Sequence, residues 1–287
     1  MKKEEFAMQA AEMIQEMGYD SQIAKKPVPN GEPEVGVYIR EKGTAAGICV
    51  YLPSPWNEEP APGQLEAFVE KGVGAFEASK ETSSSIADAA DELRLDIDRV
   101  FPMIVRADWN EELLKDVPHR LIGGDLGMFY YMDMSKVVGR PATSRITWPI
   151  ADREGLSEED LYQAAVANAA KETTFLPLGD VMSLSFLLGA DVGMPALDMG
   201  PDDGGLYVLS NRSAFRGAGG IVSFAAAHQD KAWWYIPSSV HEWLVASKAI
   251  TSREDLSEMI REINATQVDP VDRLSDHPYE AQDFLAS

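Results

Sequence analysis

The chain has 287 residues, 45% of them hydrophobic and 25% charged, which is ordinary for a globular protein long enough to build a core without crosslinks. Asp and Glu number 47 against 25 Lys and Arg, a net charge of −22. Such a surface repels phosphate backbones and anionic bilayers, so direct nucleic-acid binding and membrane binding are disfavoured.

Two functional readings of the charge survive that exclusion. The acids can dock on a basic partner surface, or imitate nucleic acid and block a basic groove. A plainer account is a self-repelling, solvated surface that keeps the protein in solution. Cys49 is the single cysteine, which excludes an intrachain disulfide and an all-cysteine zinc site. It lies in Gly47-Ile48-Cys49-Val50-Tyr51, an apolar run that reads as a buried strand, and is expected to be a small core residue.

In chain order, Phe6, Ala10, Met13, Ile14 and Met17 recur at helical spacing, and Gly18 stops the helix. Glu4, Glu5, Gln9 and Glu12 interrupt any signal-peptide core after Met1-Lys2-Lys3, and no segment nears the ~18 apolar residues of a membrane span. A cytoplasmic location is expected. Strands are predicted at 22–26, 35–40 and 45–52, with turns at Asn30-Gly31 and Lys42-Gly43-Thr44, giving an antiparallel meander behind one helix. The Pro-rich stretch 53–63 is a surface connection. Leu65, Phe68, Val69, Val73 and Phe76 suggest a helix, broken or recapped at Thr82-Ser83-Ser84-Ser85 and continued by Ile86, Ala89, Ala90 and Leu93.

Residues 100–107 read as a strand. Residues 121–134 read as a longer one, bulged or sharply bent at Gly123-Gly124. Another strand is expected at 144–149. Ser157 and Asp160 form a capping box, with Leu156 and Leu161 as a staple, for a helix to about Lys171. From Leu206 to Asn264 the pattern is strand, polar turn, small-residue helix, strand, turn, strand, helix. The small-residue helix runs through Phe215, Arg216 and Gly217 to Ala227, and the closing helix is capped by Thr251 with Glu254. The Asp-rich tail from Asp269 is expected to drape over the surface.

Several catalytic signatures fail on one residue each. His241-Glu242 opens like a zinc-protease helix, but Val245 stands where the second histidine belongs. Gly217-Ala218-Gly219-Gly220 opens like a dinucleotide loop, but Val222 replaces its last glycine. Close packing of a helix on a sheet is the better account. Asp198, Asp202 and Asp203 resemble a calcium loop, yet Asp203 and Leu209 occupy its glycine and its final carboxylate. No Walker lysine and no Gly-x-Ser-x-Gly elbow is present, and no metal or cofactor is expected.

One constellation is left. Asn211, Arg212 and Arg216 sit at a strand-to-helix junction, where amides and guanidiniums favour anions. Ser238, Ser239 and His241 form a later turn. If the two turns converge they make a small polar pocket, in which a serine and His241 can act as nucleophile and base. Ordinary turn chemistry accounts for the same residues.

Tyr207-Val208-Leu209-Ser210-Asn211-Arg212 with Gly217-Ala218, then Ile236-Pro237-Ser238-Ser239-Val240-His241-Glu242, then Glu262-Ile263-Asn264-Ala265-Thr266-Gln267-Val268 with Leu274-Ser275-Asp276, resemble in order the motifs of a bacterial family. Asn110-Glu111-Glu112-Leu113-Leu114 with Val117-Pro118-His119, and Gly155-Leu156-Ser157 before Asp160-Leu161-Tyr162, fit it too. The family is a domain of unknown function from Gram-positive gut bacteria, often near mobile elements. The resemblance spans about 101–276, is weaker in the first hundred residues, and departs in the Pro-rich stretch and after Glu280. It implies a cytosolic α+β protein, with no reaction or catalytic residue attached.

The expected fold is thus α+β, with antiparallel sheets packed by helices and a C-terminal strand-helix-strand-strand-helix unit. A composition break near Pro141 suggests lobes at 1–140 and 141–287. The leading functional expectation is a non-enzymatic binding or interaction protein, accessory to a mobile element or phage. The alternatives are a Ser/His hydrolase and a nucleic-acid mimic.

Overall fold

The computed structural model describes residues 1–44, 47–90, 94–138, 142–181, 201–213 and 216–285. Expectations for Ala45, Leu93, Pro141, Asp198 and Phe215 fall outside these. The chain divides into two units, Met1–Arg94 and Leu95–Ser287.

The first unit opens with helix α1 (Lys3–Glu16), which ends before Gly18 at φ +100°, a value glycine adopts at little cost. Strands β1 (Asp20–Val28), β2 (Gly31–Arg40) and β3 (Gly47–Tyr51) then form an antiparallel meander in that order. Val35, Val37 and Ile39 alternate along β2 and project onto one face. There they share a core with Phe6, Ala10 and Ile14 of α1 and with Val69, Val73 and Phe76 of helix α2 (Gln64–Ala90). So two helices, not one, back the meander.

Helix α2 runs through the serines at 83–85 without a break. Serine costs a helix only a few tenths of a kcal/mol per residue, so a cap signal alone does not end one. Gly72 has a packing reason: a Cβ there would lie 3.3 Å from Ile39 of the sheet. Cys49 is half-buried rather than buried, because β3 is an edge strand with no fully buried residue.

Among the described residues the second unit holds two four-stranded antiparallel sheets. One contains β4 (Val100–Arg106), β5 (His119–Ile122), β6 (Leu126–Asp133) and β7 (Thr143–Arg145), with β6 paired to the other three. The other has the order β10-β11-β9-β8, from β8 (Thr173–Pro177), β9 (Tyr207–Asn211), β10 (Trp233–Ser239) and β11 (Glu242–Ser247). Its helices among the described residues are α3 (Glu111–Lys115), α4 (Ser135–Val138), α5 (Trp148–Glu154), α6 (Glu158–Glu172), α7 (Ile221–Ala227) and α8 (Arg253–Thr266). The α+β class and the C-terminal strand-helix-strand-strand-helix unit are as the sequence indicated. The β6–β7 pairing joins residues on either side of position 141.

Alternation sorts the apolar runs onto two faces. Trp233 and Tyr235 point into a central core with Val100 and Ile104, while Trp234 and Ile236 pack under α8, and Met103 and Val105 under Leu113 and Leu114 of α3. Covering both faces of a sheet explains why these strands read as nearly continuous apolar runs. Helix α6 and the central core are joined by Asn168, whose buried amide donates to the carbonyls of Ile97 (2.9 Å) and Val100 (3.0 Å).

Four local expectations in the second unit are corrected. Gly123 and Gly124, at φ +62° and +86°, turn the chain between β5 and β6, so 121–134 is the end of one strand and all of the next. The expected strand at 144–149 stops at Arg145, and Trp148-Pro149 starts α5, where a missing N–H costs nothing. Helix α8 is capped by Ser252 accepting from the Asp255 amide at 3.1 Å, one residue later than expected, since the same cap pattern fits both registers. The α6 capping box forms as read. The fourth correction is the largest. The tail is built into the core, with Leu274, Ser275, Tyr279 and Phe284 at most 2% exposed and Tyr279 bridged to Tyr235 of β10.

Candidate functional site

Strand β9 ends at Asn211, and the Arg212 amide donates to the Glu172 carbonyl at the end of α6 (3.1 Å). The Arg212 guanidinium also lies 3.6 Å from the Glu172 carboxylate, but is 73% exposed, and a pair so wet contributes little. Ser213 donates to the Asn211 side chain at 3.0 Å. The chain then reaches Arg216 in the left-handed region, φ 51° and ψ 37°, followed by a 3-10 turn at Gly217–Gly220 before α7. The predicted small-residue helix therefore starts later than expected. Its glycines lie against other backbone: a Cβ on Gly217 would come 2.5 Å from the Asn211 nitrogen, and one on Gly219 2.6 Å from the Pro102 carbonyl. Close packing is their role.

The two polar corners do meet. The Arg216 amide donates to Nδ1 of His241 at 2.9 Å, and Ser210 donates to the His241 carbonyl at 2.8 Å. With Nδ1 accepting, the neutral ring carries its proton on Nε2. That nitrogen lies 3.5 Å from the Asp272 carboxylate. The Asp272 carbonyl accepts from Val240, and the Val240 carbonyl accepts from Ala218. Ser239 accepts from the His241 main-chain amide at 3.1 Å, while Ser238 donates to Glu242 at 3.3 Å. His241 thus braces three turns, at 216, 240 and 272.

A cleft of about 20 Å³, room for a water or two, is lined by Asn211, Arg216, Glu172, Thr173, Phe101 and Tyr131 among others. Residues 238–242 do not line it. Of the six predicted residues, Asn211 and Arg216 share a cleft, Arg216, Ser239 and His241 share a brace, and Arg212 and Ser238 turn to other carboxylates.

A second polar cluster gathers around Asp125. Asp125, in the β5–β6 turn, accepts from Tyr279 (2.5 Å) and Ser275 (2.9 Å), and lies 3.4 Å from Nε2 of His277. Burial would raise the Asp125 carboxyl, but these three hydrogen bonds outweigh it and hold it below its ordinary range. The hydrogen bond to Asp125 raises His277 above its ordinary value against the opposing effect of burial. The neighbouring Asp276 accepts from Asn264 (2.9 Å) and Arg106 (3.0 Å). Ser275 and Asp276 fall within the motif run of the C-terminal region, the only sequence signal that pointed here.

A family model matches residues 3–281, nearly the whole chain, a span that takes in the first hundred residues, where the resemblance is weaker. The chain belongs to a family of unknown function, DUF5688. No curated protein and no solved structure matches it. Among the described residues no group of three or more His, Cys, Asp or Glu is placed to hold a metal ion. Among the same residues no helix is long and apolar enough to cross a membrane.

Proposed function

We propose that this DUF5688 chain is a non-enzymatic binding protein whose acidic surface docks on a basic partner. The observation that carries the reading is the engagement of His241. A hydrolase of the Ser/His type needs a hydroxyl donating to an imidazole nitrogen, beside an open pocket. Here one ring nitrogen accepts from the Arg216 amide and the other faces Asp272, while Ser239 serves the His241 amide and Ser238 serves Glu242. The polar turns spend their hydrogen bonds on holding the fold. The net charge of −22 supports the choice of a basic partner, because long-range attraction speeds encounter between oppositely charged surfaces.

The test is affinity capture from a lysate of the native host at low and at moderate salt. The reading expects a basic protein whose capture falls as salt rises, and whose purified form binds directly. Recovery of no basic partner at either salt overturns it. So does ester or amide hydrolysis by the purified chain that His241→Ala and Ser239→Ala both abolish.

A further inference from the structure

Phe101, Tyr131 and Arg145 are direct cross-strand partners on β4, β6 and β7, so their side chains stand in a row on one face of the sheet. The Phe101 and Tyr131 rings are stacked, with centroids 6.0 Å apart. The next pair along the same face is Met103 with Phe129. Two guanidiniums reach this patch from different elements. Arg145 lies 6.0 Å over the Phe129 ring, and Arg216 donates to the Met103 sulfur at 3.3 Å. All of these side chains are buried or half-buried, and Phe101, Tyr131 and Arg216 also line the small cleft.

We propose that this patch binds the oxyanion of a small organic ligand, a carboxylate or phosphate held between Arg145 and Arg216, with its planar part on the half-buried Phe101 and Tyr131 outside the cleft, which itself has room only for a water or two. A guanidinium is a planar fork of donors suited to such a group, and a thioether is a weak acceptor that an anionic oxygen displaces. Two like charges near one half-buried patch destabilise each other. Burial first, and Arg216 as well, bring the Arg145 pKa below its ordinary value, against the opposing pull of Asp116. Both residues hold other partners as well, and an oxyanion beside them is attracted to each guanidinium. The protein's net negative charge does not forbid it, since at physiological salt the long-range field is screened over about 8 Å while contacts at hydrogen-bond distance persist. The inference is independent of docking on a basic partner, which uses the exposed acids.

The experiment is a titration of the full chain followed through the arginine side-chain Nε–H signals by NMR. Inorganic phosphate and benzoate are the probes, and benzamide is the neutral control. The expected result is saturable shifts confined to Arg145 and Arg216 with one or both anions and none with benzamide. Phosphate alone marks a phosphorylated ligand, and benzoate alone a carboxylate. Arg145→Gln and Arg216→Gln should each weaken binding by roughly tenfold or more, and Arg212→Gln, on the exposed turn, should leave it unchanged. The wild-type side-chain signals locate the site without any variant, so a glutamine variant that fails to fold leaves the test standing. Shifts that do not saturate, shifts equal with benzamide, or binding retained in the Arg145→Gln/Arg216→Gln double variant overturn the proposal.

Discussion

Replacing Tyr279 by Phe isolates a single bond in the attachment of the C-terminal segment. The ring is fully buried against Trp243 and Phe284, so phenylalanine keeps the packing and removes only the hydroxyl that donates to Asp125 at 2.5 Å. A hydrogen bond to a charged group contributes about 1.5–3 kcal/mol. Asp125 keeps Ser275 and His277, so the loss should lie near the lower end, about 1.5 kcal/mol. Tyr279→Ala also removes the ring and should cost about 3–5 kcal/mol or more. Urea unfolding followed by tryptophan fluorescence is the assay. Five of the six tryptophans, all but Trp56, lie in the second unit and report on it. The acid dependence has a fixed sign. Asp125 is depressed in the folded state, so its stabilisation is present above its unfolded value of about 3.9 and disappears as pH falls through the folded value. The gap between wild type and Tyr279→Phe should therefore narrow in strong acid. A variant within a few tenths of a kcal/mol of wild type near neutral pH, or a gap that widens in acid, would refute the reasoning.

Gly123→Ala should destabilise by about 1–3 kcal/mol or more, because it forces a left-handed φ of +62° on alanine and sets a Cβ 2.6 Å from the Tyr279 ring. The same urea titration reads it. Asn168→Ala should cost about 1–3 kcal/mol by leaving the Ile97 and Val100 carbonyls without their donor. Hydrogen exchange should then quicken at the start of β4. His277 has a raised folded pKa, so its stabilisation is complete below the unfolded value near 6.5 and is lost as pH rises through the folded value. Melting curves of wild type should decline across that window, and His277→Asn should flatten the decline; an unchanged slope counts against the His277–Asp125 contact.

The elements were legible wherever a period or a cap was local. Alternation in β2, the Ser157–Asp160 box and the hairpin from Trp233 to Ser247 all depend on neighbours a few residues apart. The closing segment was misread because its partners are distant: Ser275 and Tyr279 contact Asp125 about 150 positions earlier, and a short run rich in Asp gives no periodic signal. The contacts at the candidate site depend on distant partners in the same way. Convergence of the corners at 216 and 241 was a fair inference, but which atom faces which nitrogen depends on Arg216 entering the left-handed region and on Asp272, a residue assigned to the surface. Arg145 and Tyr131 give no signal in the sequence, since their meeting requires the register of β6 against β7.

The burial of Tyr279 and Phe284 beside Trp243 has a consequence for synthesis from the ribosome. Each earlier strand of the second unit emerges while the wedge that closes its interior is still untranslated. Until residues 274–284 appear, Trp243 and Tyr235 lack the aromatic lid that dries them, and the nascent polypeptide carries an open greasy seam. A premature stop a few codons upstream of Tyr279 is therefore expected to yield an aggregating product rather than a slightly shortened one.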